Sequence, residues 1–389
     1  MRRCTVVIGV ILTCAWARPS AAGEPRDPPA AQAGQREWVE WDGPAGRRTA
    51  DVAVLVEALD GGLLLELPDQ RLEIVDSAAL VSRRALATGA PGADVDLGRQ
   101  ILGELPAGFH QYKTKHYLIC FDTSRAYAQW CGALFERLYD AFANFWQQAG
   151  FEVRRPGQPL VVVIFSDRQR YEQHAARDLG AAADRVVGYY NLLSNRVTTF
   201  DLSGSDALTR QPARSAGRAG LEILASPEAA GLVATLVHEA THQMAFNCGL
   251  HRRLAPVPLW VSEGVAMYFE TPDLASDRGW RAIGAVNRPR LEKFLAGQRS
   301  GWLEEIVRDD EAFRRADEAI EAYARAWALT YFLMQTRRES FVGYLRTLSR
   351  QEPLSEDDPE ARVRAFVAAF GGPPQSLEEP LAKFMARLQ

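Results

Sequence analysis

Between residues 36 and 86, in "REWVEWDGPAGRRTADVAVLVEALDGGLLLELPDQRLEIVDSAALVSR", apolar and polar residues alternate between DG and PDQ turn signals. A period of two marks half-buried strands, so this stretch predicts four or five short strands forming a small, barrel-like β module. The Gly- and Pro-rich "ATGAPGAD" opens a linker over 87–97. Then the pattern changes. "HYLICF" at 116–121 is a short apolar strand, and "SRAYAQWCGALFERLYDAFANFWQQAGF" repeats Tyr127, Cys131, Leu134, Leu138, Phe142 and Phe145 every three or four residues, as one face of a helix does. "PLVVVIF" at 159–165 is apolar throughout and reads as a strand covered on both faces, completing a βαβ unit. "RVVGYYN" and "RVTTFD" flank the turn "LLSN" and read as a hairpin at the sheet edge; "GSDALTRQPARSAGRAG" reads as a loop. From about 228 the pattern is mostly helical. The expected class is α+β: a mixed sheet with an edge hairpin and a helical C-terminal part, preceded by the β module.

At the N-terminus, Arg2 and Arg3 precede the apolar run "TVVIGVILTCAWA", and the small residues of "RPSAAG" follow. That layout predicts a secretory signal over 1–22 and an exported protein, periplasmic or extracellular. The apolar run is short for a bilayer span, which disfavours an uncleaved anchor and leaves no other transmembrane segment. "GEPRDPPAAQAGQ" at 23–35 reads as a flexible leader. With the signal removed, Cys120, Cys131 and Cys248 remain, an odd number at irregular spacing, so buried thiols are favoured over a disulfide framework. A net charge of -4 over 389 residues points to no nucleic-acid partner.

The chemistry concentrates in "HEATHQMAFNCGLHRRLAPVPLWVSEG". Residues four apart on a helix differ by about 40° in azimuth and rise about 6 Å, so His238 and His242 can share one ion, with Glu239 beside it rather than on it. That placement suits a general base acting on metal-bound water. The preceding "AAGLVATLV" is apolar, so the helix is a packed one. A catalytic zinc takes three protein ligands and keeps a fourth position open. Glu263 is the expected third, because "NCGL" can end the first helix and "APVP" forces extended backbone before a second, "SEGVAMYFE". One Zn2+ per chain is expected, held by His238, His242 and Glu263.

"HEATHQ" followed by "WVSEGVAMYFE" resembles the gluzincin metallopeptidases, whose third zinc ligand is a downstream glutamate. Over about 98–389 the segments "LGELPAGF", "YAQWCGALFERLY", "GYYNLLSNRVTTFDL", "HEATHQMAFN" and "YARAWALTYFL" resemble a bacterial family of unknown function whose members are expected to be exported gluzincin-like peptidases. The resemblance implies a gluzincin-like metallopeptidase domain over 98–389 that hydrolyses a peptide or protein substrate. It places "RVTTFD" where gluzincins pair an extended substrate by β-addition, with an ordinary edge strand as the other reading. It implies Tyr323 as donor to the developing oxyanion, although Ala326 stands where aminopeptidases carry Gly, and a structural tyrosine is the alternative. The aminopeptidase "GxMEN" element is missing, so aminopeptidase activity is not inferred.

Other residues near the motif read more plainly. His251, in "GLHRRL", reads as a surface-loop residue and a secondary oxyanion candidate. His110, His116 and His174 read as surface or packing residues. Glu270 can orient a zinc-bound imidazole, though a solvated glutamate is the simpler reading. Trp260, Tyr268 and Phe269 read as core, and the small Gly264 and Ala266 would let their helix approach a neighbour closely. The rival function is a catalytically silent envelope binding protein on a peptidase fold. An intact Glu239 argues against it, since a ligand-only site needs no base.

Overall fold

The structure, a computed structural model, describes residues 36–44, 46–86, 96–204, 230–271 and 283–389. The signal and leader, most of the linker and nearly all of the "GSDALTRQPARSAGRAG" loop lie outside the described residues.

The alternating region forms β1 (Arg36–Gly43), β2 (Gly46–Glu57), β3 (Leu63–Glu66), β4 (Leu72–Val75) and β5 (Leu80–Ala85). They make an antiparallel sheet in the order β4-β3-β2-β1-β5. Val39 and Trp41 on β1 meet Val52, Leu63, Leu65 and Val75 in a small core, as a period of two dictates. The sheet is open rather than barrel-like: β4 and β5 stand at opposite ends, and β5 is too exposed to close against a partner. The module does not hang free. Leu64 and Leu72 belong to the main core, Leu72 N–H donates to the Leu193 carbonyl at 2.8 Å, and Arg253 pairs with Glu66.

A second sheet runs in the order β6-β7-β8-β10-β9, built from β6 (His110–Lys113), β7 (Tyr117–Phe121), β8 (Leu160–Phe165), β9 (Gly188–Asn191) and β10 (Arg196–Phe200). β7, β8 and β10 are parallel, while β6 and β9 close the two edges antiparallel. Helix α1 (Leu97–Glu104), capped by Asp96, precedes the sheet, α2 (Arg125–Gln148) is the crossover between β7 and β8, and α3 (Arg168–Leu179) follows β8. The anticipated face of α2 is buried from Tyr127 to Phe142, but Trp146 rather than Phe145 completes it.

One placement corrects the sequence reading. The "RVTTFD" strand is not an edge. β10 lies between β8 and β9, and every one of its residues is buried. Its β-branched run suits an interior strand paired on both sides. The edge belongs to the other arm of the hairpin, β9.

The helical part comprises α4 (Ala230–Asn247), α5 (Leu259–Phe269), α6 (Arg288–Ala296), α7 (Trp302–Arg308), α8 (Glu311–Arg314), α9 (Ala319–Thr336), α10 (Arg338–Leu348), α11 (Pro359–Phe370) and α12 (Glu378–Ala386). α4 crosses the sheet with Val233, Leu236, Val237, Ala240, Met244 and Ala245 all buried, so it is an interior helix. Gln243 fixes its position by donating to the carbonyls of Val161 on β8 and Asn195 at the β9–β10 turn, both at 2.9 Å. Among the described residues no helix is long and apolar enough to cross a membrane. Cys120, Cys131 and Cys248 are buried free thiols.

Candidate metal centre

His238 and His242 project from one face of α4, and α5 returns Glu263 to the same point. His238 Nε2 lies 3.0 Å from His242 Nε2 and 3.1 Å from Glu263 Oε2, and His242 Nε2 lies 3.5 Å from Glu263 Oε1. All three residues are fully buried. Zinc held tetrahedrally at about 2.0–2.1 Å sets its ligand atoms roughly 3.3 Å apart, so this donor set fits the ion. Among the described residues, theirs is the group of His, Cys, Asp and Glu side chains whose donor atoms converge closely enough to hold a metal ion. Two imidazole nitrogens 3.0 Å apart beside one carboxylate can be bridged by a proton or by a shared cation. Burial alone would push His238 down, yet its hydrogen bonds to Glu263 and Glu270 raise it to about 10. Glu263 is held down at about 2, its burial outweighed by His242 and His238.

The geometry depends on where α5 begins. Leu259 N–H, at the first turn, donates to Asp310 Oδ1 at 3.0 Å, and Arg362 holds both oxygens of Asp310 at 2.8 and 3.0 Å. This buried pair satisfies a helix N-terminus that would otherwise leave a donor unpaired. Farther along, Gly264 touches α9: a Cβ there would overlap Thr330 Oγ1 and stand 2.9 Å from the Ala326 carbonyl oxygen. The small residue anticipated for close approach therefore sets the spacing between α5 and α9.

Glu239 is fully buried beside the ligands. Its Oε2 accepts from the Tyr190 N–H on edge strand β9 at 2.8 Å, while Oε1 is buried without a partner among the described residues. Burial pushes the carboxyl up to about 8, with nearby Glu263 adding to the rise and His238 opposing it. Each further positive charge placed there favours the ionised base.

Glu270 departs from the solvated reading. Its Oε2 lies 3.4 Å from His238 Nδ1 and 3.3 Å from Arg290 Nη2. Burial would raise it, but Arg290 and then His238 hold it below the usual carboxylate range. It therefore stands where a carboxylate orients the imidazole through its outer nitrogen. Arg290, on α6, was not anticipated: nothing in its local sequence marks it.

Tyr323 sits half-buried in the first turns of α9, its ring edge-on to Phe313 at 5.5 Å, with the Arg290 guanidinium 5.8 Å from its centroid. Its phenol is raised well above the ordinary value by burial and then by Glu263 and Glu239, so it shares their electrostatic surroundings. His251 is not a surface residue. It is buried, edge-on to Phe246 at 5.3 Å, with neither ring nitrogen partnered among the described residues, and burial followed by His242 lowers it to about 3. Buried and held neutral, the ring is not part of the metal group. His116 stacks on Tyr139 and bonds Glu136 at 2.7 Å, His174 is half-buried and His110 exposed; the metal group includes none of the three.

Residues 232–355 match a family described as a protein of unknown function, DUF1570. The matched region carries both ligand helices, Glu239, Glu270, Arg290 and Tyr323. No curated protein matches the chain.

Proposed function

We propose that the chain is a zinc metallopeptidase of gluzincin type, exported from the cell, that cleaves a peptide or protein substrate. One observation carries the reading: a fully buried Glu239, with one oxygen anchored and the other unpartnered among the described residues, stands beside a donor set of two histidines and a glutamate. A purely structural metal site needs no such carboxylate.

When bound by His238, His242 and Glu263, zinc supplies Lewis acidity toward a scissile carbonyl and the attacking water. The chain's own residues do the rest. Tyr190 N–H fixes Oε2 of Glu239, which leaves Oε1 to take a proton from the water and return it to the leaving nitrogen. Glu270, braced by Arg290, keeps the His238 ring turned toward the ligand point. The Tyr323 hydroxyl is the group assigned to meet the oxyanion as the carbonyl is attacked. Among the described residues β9 has no second strand partner, and apart from the Tyr190 N–H, which is committed to Glu239, its outer edge is the backbone we assign to an extended substrate.

The test is cleavage of a diverse peptide mixture by the mature protein, with and without chelator, alongside Glu239→Gln. The reading expects chelator-sensitive cuts by the wild type, and a variant that keeps its metal but loses turnover. An intact, zinc-loaded wild type that cuts nothing would favour a silent binding protein instead. Wild-type activity in Glu239→Gln would mean that another group activates the water.

A further inference from the structure

A cleft of about 400 Å³ opens away from the metal ligands, where the β module meets the C-terminal end of α4. Arg36, Arg154, Arg252 and Arg253 line it against a single carboxylate, Glu66. That carboxylate is already committed. Glu66 pairs with the buried Arg253 at 2.5 Å, and Arg253 also donates to the carbonyls of Gln70 at 2.7 Å and Leu192 at 3.3 Å, so this arginine is structural. Arg252 reaches out to Glu352 at 2.8 Å, a side chain 66% exposed and outside the lining.

The other two arginines have no such partner. Among the described residues Arg36 gives one bond, to the Asp51 carbonyl at 3.2 Å, while its Nε is buried and unpartnered there. Arg154 is exposed, and among the described residues neither it nor Arg36 has a carboxylate within ion-pair distance. Arg154 is nonetheless positioned. Its N–H donates to the Cys248 carbonyl at 2.9 Å, and its side-chain stem lies over Gly249, where a Cβ would stand 3.3 Å from Cδ. The C-terminus of α4 supplies only about half a negative charge, far short of balancing two guanidinium groups that no carboxylate among the described residues pairs.

Guanidinium groups match the oxygens of carboxylates and phosphates, and a partly desolvated one strengthens that bond. Phe246 adds an apolar wall for the body of a ligand. We infer that this cleft is a binding site for a small molecule bearing an oxyanion, carboxylate or phosphate, held chiefly by Arg36 and Arg154.

The probes are inorganic phosphate and citrate, titrated into the full metal-loaded protein and followed by melting temperature and calorimetry, against chloride at matched ionic strength. The inference expects a saturable stabilisation by at least one probe. Phosphate alone acting identifies a phosphoryl ligand, and citrate alone a carboxylate one. In R36Q/R154Q the dissociation constant should rise at least tenfold, while R99Q, changed at a side chain 88% exposed and not among the lining residues, should bind as wild type does. Should the double variant lose stability without ligand, R154Q alone, altered at an exposed residue, carries the comparison. No saturable effect beyond chloride, or equal binding by wild type and the arginine variants, overturns the site.

Discussion

Gly264→Ala tests whether the spacing of two helices sets the metal geometry. The added methyl would overlap Thr330 Oγ1, stand 2.9 Å from the Ala326 carbonyl oxygen and 3.0 Å from Thr330 Cβ. Rotating Thr330 can move its hydroxyl, but neither its Cβ nor the backbone oxygen. Ordinary contact needs about 3.5 Å, so α5 must retreat from α9 by roughly half an ångström. Overpacking of this kind costs about 1–3 kcal/mol, of which alanine's helix propensity returns at most ~1 kcal/mol. The stability loss is therefore modest, a few degrees in Tm. The metal should feel more, because Glu263 is the preceding residue and ligand distances tolerate only about 0.2 Å. We expect metal affinity to fall at least tenfold, measured by chelator competition. Thr330→Ala should be nearly silent alone, since its buried hydroxyl has no hydrogen-bond partner among the described residues, and should restore part of the loss when combined with Gly264→Ala. A Gly264→Ala protein that melts and holds metal as wild type does would refute the argument.

The other expectations concern single groups. Glu263→Ala should lose metal on dialysis, and unchanged metal content would mean a misassigned third ligand. Glu270→Gln removes the anion facing His238 Nδ1 and should weaken metal affinity about 10- to 100-fold with the fold intact; affinity within twofold of wild type would make the contact incidental. Tyr323→Phe should lower kcat by about 10²- to 10³-fold while zinc and Tm persist. Unchanged kcat with a lowered Tm would reduce that tyrosine to packing.

What could be read in advance was what lies close in sequence. The pairing of His238 with His242 follows from one helical turn, and β8 from an unbroken apolar run; both are local consequences of backbone geometry. β6 escaped notice because "HQYK" is polar and its edge position demands no apolar pattern. The misplaced edge has a different cause. Strand order is decided by which strands pair across the chain, and the hairpin alone could not say which arm faced outward. A signal was present nonetheless: "RVTTF" is richer in β-branched residues than "GYYN", as befits the arm paired on both sides.

The same division separates the ligands from the groups that hold them. His238, His242 and Glu263 sit within one helix–turn–helix segment, so a short motif can announce them. Their supports arrive from separate stretches of chain: Tyr190 from β9, Arg290 from α6, and Asp310 with Arg362 at the start of α5. No helical or strand period relates these positions to the motif, because each contact exists only after the sheet and helices have packed. The consequence is physical as well as interpretive. Buried charges persist only when paired, so each support is as necessary to the ionised site as the residue it holds, yet its removal acts through position rather than chemistry. Loss of Glu239 should leave a bound metal and no turnover, whereas loss of Asp310 or Arg290 should first appear as altered metal affinity, since it frees α5 or the His238 ring to leave the ligand point.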